Sequence, residues 1–188
     1  MDVIERLKNK DEQALIELMN EYGDYLLRTS YLLVKDMQVA EEAVQDTFIV
    51  AYRKINQLHD SLKIKSWLAK IAINQCRARM RRWSWKNVLL KFNQNEIEKE
   101  LSHTNLQDEE IPEVLILKFS RNQQLYKSIQ QLDYMYREVI TLFYFNQLSI
   151  EEIAALLKEK ENTIKTRLRR GRSKLKIMLE EGGMNDVE

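Results

Sequence analysis

The chain has 188 residues, enough for one ordinary domain or two small ones. Its 4 Gly and 1 Pro are too few for the tight turns of an all-β fold, and its single cysteine, Cys76, excludes an intramolecular disulfide scaffold. A net charge of +1 conceals segregation: residues 1–60 carry 12 acidic and 7 basic side chains, 61–95 carry 9 basic and no acidic ones, 96–113 carry 7 acidic and 1 basic, and 161–177 carry 7 basic and 1 acidic. Two basic segments flanking an acidic one suggest two contacts with a polyanion. Ordinary solvated helix faces account poorly for 35 residues without one carboxylate. The N-terminus has no apolar signal core and no apolar run is long enough to span a bilayer, so a soluble cytoplasmic protein without direct membrane insertion is expected.

Good helix formers (Leu, Glu, Lys, Gln, Ala) dominate, and an all-α fold of two small helical domains follows. Asp11 can cap a first helix, in which Leu15, Leu18, Met19, Tyr22, Leu26 and Leu33 keep helical spacing. A second helix is predicted from about Gln38 to Ile55, with Val44, Phe48, Ala51, Tyr52 and Ile55 on one face. Residues 56–65 read as irregular. A third helix starts near Ser66, carries Trp67, Leu68, Ile71 and Ala72, and runs into the basic stretch from Arg77 to Arg82. These elements make a domain over residues 1–90. Residues 93–113 are polar and acidic and hold Pro112, and the span 91–119 reads as a flexible linker. A second domain follows over 120–181, with helical segments 125–132, 135–145, 149–157 and 162–179. Gly182 and Gly183 mark its end, and 182–188 read as a tail.

In the second domain Ser149 and Glu152 form a capping box. Ile150, Ile153, Ala154 and Leu157 then share one helix face. After a connector at 158–161, Asn162 or Thr163 can cap the last helix, whose apolar stripe is Ile164, Leu168, Leu175 and Leu179. The opposite face bears Lys165, Thr166, Arg167, Arg169, Arg170, Arg172 and Lys174. A basic second helix after a short turn fits a DNA major groove, with base edges met by Asn162, Thr163, Lys165 and Thr166 and phosphates by the later Arg residues. A surface hairpin with solvated charge is the bland alternative.

These residues resemble a known family. Tyr136-Arg-Glu-Val-Ile140, Leu148-Ser-Ile-Glu-Glu-Ile-Ala154 and Asn162-Thr-Ile-Lys-Thr-Arg-Leu168 look like the C-terminal domain of the extracytoplasmic-function (ECF) sigma factors of bacterial RNA polymerase. Ala40-Glu-Glu-Ala-Val-Gln-Asp-Thr-Phe48 with Ala51-Tyr-Arg53 looks like the family's core-binding helix. Ser66-Trp-Leu68 and Ile71-Ala-Ile-Asn74 look like its promoter-melting helix. The resemblance implies a sigma factor that binds polymerase core and promoter DNA, with sigma domain 2 at 1–90 and helix-turn-helix sigma domain 4 at 120–181. It implies that Gln45, Asp46 and Phe48 dock on polymerase. Glu42, four residues before Asp46 on one face, can join Asp46 in pairing with a partner's Arg. The alternative for Phe48 is the core. The stretch 58–65 matches the loop that captures a flipped base of the minus-ten element. That implies minus-ten contacts for Lys63, Ile64, Lys65, Asn74 and Arg77, with Lys70 and Arg79 adding positive charge for single-stranded backbone. Trp67 reads as core rather than a stacking platform. The minus-thirty-five contacts implied are Asn162, Thr163, Lys165, Thr166, Arg167, Arg169 and Arg170. An anti-sigma partner, often membrane-anchored in the family, is a further implication.

The sequence departs from the family pattern at four places. Leu132-Asp133 stands where the family has Leu-Pro. Lys158-Glu159 stands where it has Gly and an apolar residue. Leu58 and Ile64 stand where it often has Phe, and Asp60 takes a Gly position. The acidic segment resembles the family's interdomain linker, and Asp108, Glu109 and Glu110 are either an RNA mimic in the polymerase cleft or a solvated tether.

No catalytic set, phosphate loop or metal-ligand spacing is visible, so no enzyme, cofactor, metal or small-molecule substrate is expected. Two non-enzymatic alternatives are a helix-turn-helix repressor or activator that binds an operator without polymerase, and a helical adaptor that binds only proteins. The first needs a dimer interface or effector pocket, neither evident. The second leaves both basic segments without a role.

Overall fold

The computed structural model describes residues 3–93 and 123–184, with side chains described over 3–82 and 124–180. Most of the linker expected at 91–119 therefore lies outside the described residues, as do the side chains of Trp83 and Trp85. Among the described residues the fold is all-helical, without strands. The N-terminal bundle comprises α1 (Val3–Lys8), α2 (Glu12–Val34), α3 (Met37–Lys54) and α4 (Ile64–Asn93). The C-terminal unit comprises α5 (Gln123–Gln131), α6 (Tyr134–Ile140), α7 (Ile150–Leu157) and α8 (Glu161–Met184).

Local chemistry sets the helix ends. The Asp11 carboxylate accepts from the Gln13 and Ala14 amides and starts α2. Lys35 then enters the left-handed region at φ 61°, and Asp36 caps α3 by accepting from the Val39 amide at 2.8 Å. The short α1 gives no sequence signal because six residues make too few turns for a period, yet it buries Ile4 and Leu7. The stretch expected to be irregular holds two 3₁₀ turns, Ile55–Gln57 and Ser61–Lys63, the second capped by Asp60. The helix predicted over 135–145 changes pitch: α6 passes into a π-helical turn at Thr141–Phe145. The last helix continues through Gly182 and Gly183 to Met184, rather than stopping before them.

Two apolar clusters hold the molecule together. One lies wholly within the bundle and joins Leu7, Leu18, Leu26, Phe48, Ile55, Leu68 and Ala72 from α1 to α4. The other starts with Leu33, Ala40, Ile73 and Cys76 of the bundle. It continues without a break into Leu132, Val139, Leu142, Ile153 and Ile164 of the C-terminal unit. The C-terminal unit is thus seated on the face of the bundle formed by the end of α2 and the middle of α4.

Candidate nucleic-acid interface

The outer face of α3 presents exposed Glu42 and Gln45 and the partly exposed Asp46, one helical turn apart. Arg79 reaches across from α4, its guanidinium 2.7 Å from Asp46 and 4.0 Å from Glu42, with its own side chain only 19% exposed. Arg79 therefore braces the acidic face, a different place from the DNA-facing role expected of it. Phe48 takes the alternative place open to it: it is 4% exposed and packs in the bundle core, because its position falls on the inner face of α3. It can shape the docking face only through packing.

The turn before α4 carries a fully displayed side chain, Leu62, at 91% exposure. Lys63 is exposed beside Asp60 at 3.8 Å. Ile64, expected at DNA, is instead 8% exposed and closes the end of the bundle core. Lys65 holds its ammonium 4.7 Å from the centre of the Tyr25 ring, and Asn74 is exposed on the outer side of α4. Trp67 packs against the core, as its spacing with Ile71 suggests. Two cations of α4 point at the C-terminal unit. Lys70 pairs with Glu152 at 3.0 Å, while Arg77 lies 3.3 Å from the Glu138 carboxylate and donates to the Leu156 carbonyl at 3.2 Å.

In the C-terminal unit both halves of the Ser149–Glu152 capping box form. The Glu152 carboxyl is held below the ordinary glutamate range, first by the Ser149 amide and then by Lys70. Lys158 takes the left-handed turn that glycine usually fills, at φ 57° and ψ 45°, and its amide donates to the Ala154 carbonyl. The turn thus forms without glycine. Helix α8 begins at Glu161, one residue before the positions expected to cap it, so Asn162 and Thr163 lie in its first turn. Its stripe is buried at Ile164 and Leu168 and only half-buried at Leu175 and Leu179.

Between the start of α6 and the first half of α8 lies an open groove of about 370 Å³, lined by Met135, Tyr136, Asn162, Thr163, Thr166, Arg167 and Arg170. Arg167 turns back onto Glu159 at 2.8 Å, Lys165 pairs with Glu161 at 3.5 Å, and Arg169 and Arg170 stand exposed. One residue that sequence reasoning missed is Gly171. A Cβ there would lie 3.1 Å from Ile140 and 3.3 Å from Tyr136, so glycine lets α8 lie close on α6. Its signal was a glycine inside a helical pattern between two Arg residues.

Buried polar groups gather where the two units meet. Arg137 is 5% exposed and donates to the carbonyls of Gln130, Leu132 and, across the junction, Leu33. Glu138 beside it is also buried, and burial raises its carboxyl above the ordinary range despite the nearby Arg77 and the Tyr134 hydroxyl that donates to it. The Cys76 thiol is buried and pushed up to about 11, which makes it a packing residue rather than a nucleophile. Among the described residues there is no cluster of His, Cys, Asp and Glu suited to a metal, and no helix is long and apolar enough to cross a membrane.

The family model for Sigma-70 region 2 matches residues 18–86, and that for Sigma-70, region 4 matches residues 122–175. The chain is 30% identical over 174 residues to the RNA polymerase sigma-H factor of Pseudomonas aeruginosa, covering 90% of this chain and 88% of that one. It is 28% identical over 184 residues to the ECF RNA polymerase sigma factor SigW of Bacillus subtilis, covering 94% of each. Among solved structures, its fold is similar to RpoE of Bartonella quintana in complex with the anti-sigma factor NepR (TM-score 0.60, 23% identity, 90% of this chain and 96% of that one). It is also similar to CnrH in complex with the cytosolic domain of CnrY (TM-score 0.59, 21% identity, 95% of this chain and 96% of that one).

Proposed function

The chain belongs to the ECF sigma factors of the sigma-70 family, and from that premise we propose how its residues divide the work of starting transcription at a promoter. A sigma factor binds RNA polymerase core and directs promoter-specific initiation; the proposal concerns which side chains carry each part. The bundle, residues 1–90, binds core through Glu42, Gln45 and Asp46. The exposed carboxylate pair on α3, fixed by Arg79, offers two charged acceptors to a basic partner helix. Lys63, Lys65, Asn74 and Arg77, with Lys70, meet the minus-ten element. Leu62 stands beside them, free to touch an unstacked base.

The C-terminal unit, residues 120–181, reads duplex at the minus-thirty-five element. Asn162, Thr163, Lys165 and Thr166 meet base edges, and Arg167, Arg169 and Arg170 meet phosphates. The single observation that carries this part is the groove at the start of α8. There the polar side chains of Asn162, Thr163 and Thr166 line one wall, and exposed Arg169 and Arg170 lie one turn further along. Residues 91–119 tether the two units, and an anti-sigma factor holds the protein inactive until a signal releases it. The structural neighbour bound to the anti-sigma factor NepR supports that last step. The protein acts without cofactor or substrate, in the cytoplasm where polymerase and promoter are.

Run-off transcription with bacterial core polymerase and a promoter library, with this protein added or omitted, tests the whole reading. Protein-dependent transcripts that share two upstream elements are expected. A folded protein that binds an operator tightly without core, or binds core without changing transcription, overturns it.

A further inference from the structure

Arg167 stands apart from the other cations in the first half of α8. Arg169 and Arg170 are exposed, and Lys165 pairs with Glu161 one turn earlier in the same helix, with both side chains more than half exposed. The Arg167 side chain is only 21% exposed, and its Nη2 lies 2.8 Å from Oε1 of Glu159, outside the helix.

The turn before α8 puts Glu159 there. Lys158 enters the left-handed region at φ 57°, and the Glu159 amide donates to the Ala154 carbonyl at 3.0 Å. The backbone of Glu159 is thereby tied to the end of α7 while its carboxylate meets Arg167. Glu159 stands where the family pattern has an apolar residue, so the pattern itself does not supply this contact. A partly exposed ion pair contributes little to stability. Its consequence here is orientation.

Side chains of an α-helix lean toward its N-terminus. The bond to Glu159 draws the Arg167 guanidinium further that way, toward the first turn of α8, where Asn162 and Thr163 lie. The N-terminal residues of a helix laid in a major groove are those that meet base edges. Arg167, counted above with the phosphate contacts from its place in the sequence, is thus carried toward the base-reading end. A guanidinium holds five donors in a fixed fork. With one edge on a carboxylate, another can still address the paired acceptors O6 and N7 of guanine.

We infer that Glu159 is a positioning residue that sets DNA specificity: it holds Arg167 at the base-reading end of α8 for a guanine of the minus-thirty-five element. Its carboxylate also disfavours DNA on which Arg167 finds no such acceptor, because an unmatched negative charge then faces phosphates. The inference rests on the minus-thirty-five reading above and refines it at Arg167.

The test uses holoenzyme, the full chain with bacterial core polymerase, on promoter duplexes whose minus-thirty-five element is randomised, with the bound DNA sequenced. Wild type is compared with Arg167→Ala, Glu159→Ala, Glu159→Gln and the double variant Glu159→Ala/Arg167→Ala. Wild type should enrich guanine at one position, and Arg167→Ala should erase that preference while the other positions keep theirs. Glu159→Ala should reduce the same preference about 10-fold, within the discrimination of one bidentate pair. Glu159→Gln, which keeps an oxygen acceptor at the same reach, should restore part of it. The double variant should be no less selective than Arg167→Ala alone, because Glu159 acts through Arg167. Preferences kept at the other positions show that each variant is folded and seated on DNA. The inference is overturned if Arg167→Ala weakens all sequences evenly, which makes Arg167 a phosphate contact, or if Glu159→Ala keeps the full guanine preference. Loss of every preference in Glu159→Ala would mark a role in folding the turn and overturn it too. A wild-type holoenzyme with no preference anywhere in the element overturns the minus-thirty-five reading itself.

Discussion

The core of the bundle and the junction between the two units are both buried, but they are made differently. The bundle core is a continuous set of aliphatic side chains, among them Leu18, Leu26, Ile55 and Leu68, joined by the Phe48 ring. The junction is an apolar cluster edged by buried Thr29, Arg137, Glu138 and Asn146, whose hydrogen bonds and ion pairs cross from one unit to the other. Apolar packing is non-directional, and water offers nothing in its place when it opens. A polar junction is held by a few directional bonds that water can replace on each side. The first construction suits a permanent fold, the second an interface that forms and breaks.

The largest expected effect comes from the bundle core. Leu68→Ala removes a fully buried side chain and leaves a cavity, at a cost of about 2–5 kcal/mol. Urea unfolding should show the destabilisation, and the C-terminal unit should still reach the bundle in whatever fraction stays folded. Arg137→Met exchanges three carbonyl bonds for an apolar chain of similar reach, at a cost of about 1–3 kcal/mol. Its distinguishing sign is local. Hydrogen exchange should quicken along the end of α2 around Leu33, whose carbonyl no longer has its Arg137 donor, and leave Leu18 and Leu26 protected. If Arg137→Met instead loosens the whole bundle evenly, the junction is part of the permanent core and the contrast fails.

A smaller effect isolates one turn within the C-terminal unit. Lys158 carries a side chain at φ 57° where glycine fits without strain. Lys158→Gly should stabilise the protein by about 1 kcal/mol and raise its melting temperature by roughly 2–4 °C, with the radius of gyration unchanged. No gain would mean that the Lys158 amide bond to Ala154 already fixes the turn at little cost.

Legibility from sequence follows the same division. Helices with several turns of apolar period, α2, α3 and α8, are readable, as is the capping box at Ser149, because each signal lies within a few consecutive residues. The exposed acidic face of α3 and the basic face of α8 are readable as charge on one side of a helix. Phe48 and Ile64 are not separable from their neighbours, since an aromatic or branched residue in a functional motif serves partner and core alike until its rotation about the helix is known. The junction is invisible in sequence. Arg137, Glu138 and Asn146 look like ordinary surface residues, and their partners at Leu33, Arg77 and Thr29 lie tens of residues away. Arg79 reads as one more cation in a basic run, although its partner Asp46 sits on another helix.

The mildest test uses acidity to ask what Glu152 contributes. Its carboxylate accepts from the Ser149 amide at 3.0 Å and pairs with Lys70 across the junction, and both favour the charged form. A carboxyl held below its ordinary value of 4.5 adds stability that is fully present above that value and is lost as pH falls through the lowered one. Glu152→Gln keeps an amide oxygen for the cap but removes the charge. The variant should therefore melt below wild type near pH 7, and the two should converge as the solution is acidified past the carboxyl's titration. Because both partners are well exposed, the difference should be small and should shrink in high salt. A gap that survives at low pH would assign the contribution of Glu152 to the geometry of the cap. A gap that closes would assign it to charge, and thereby to Lys70 on the other side of the junction as well as to the end of its own helix.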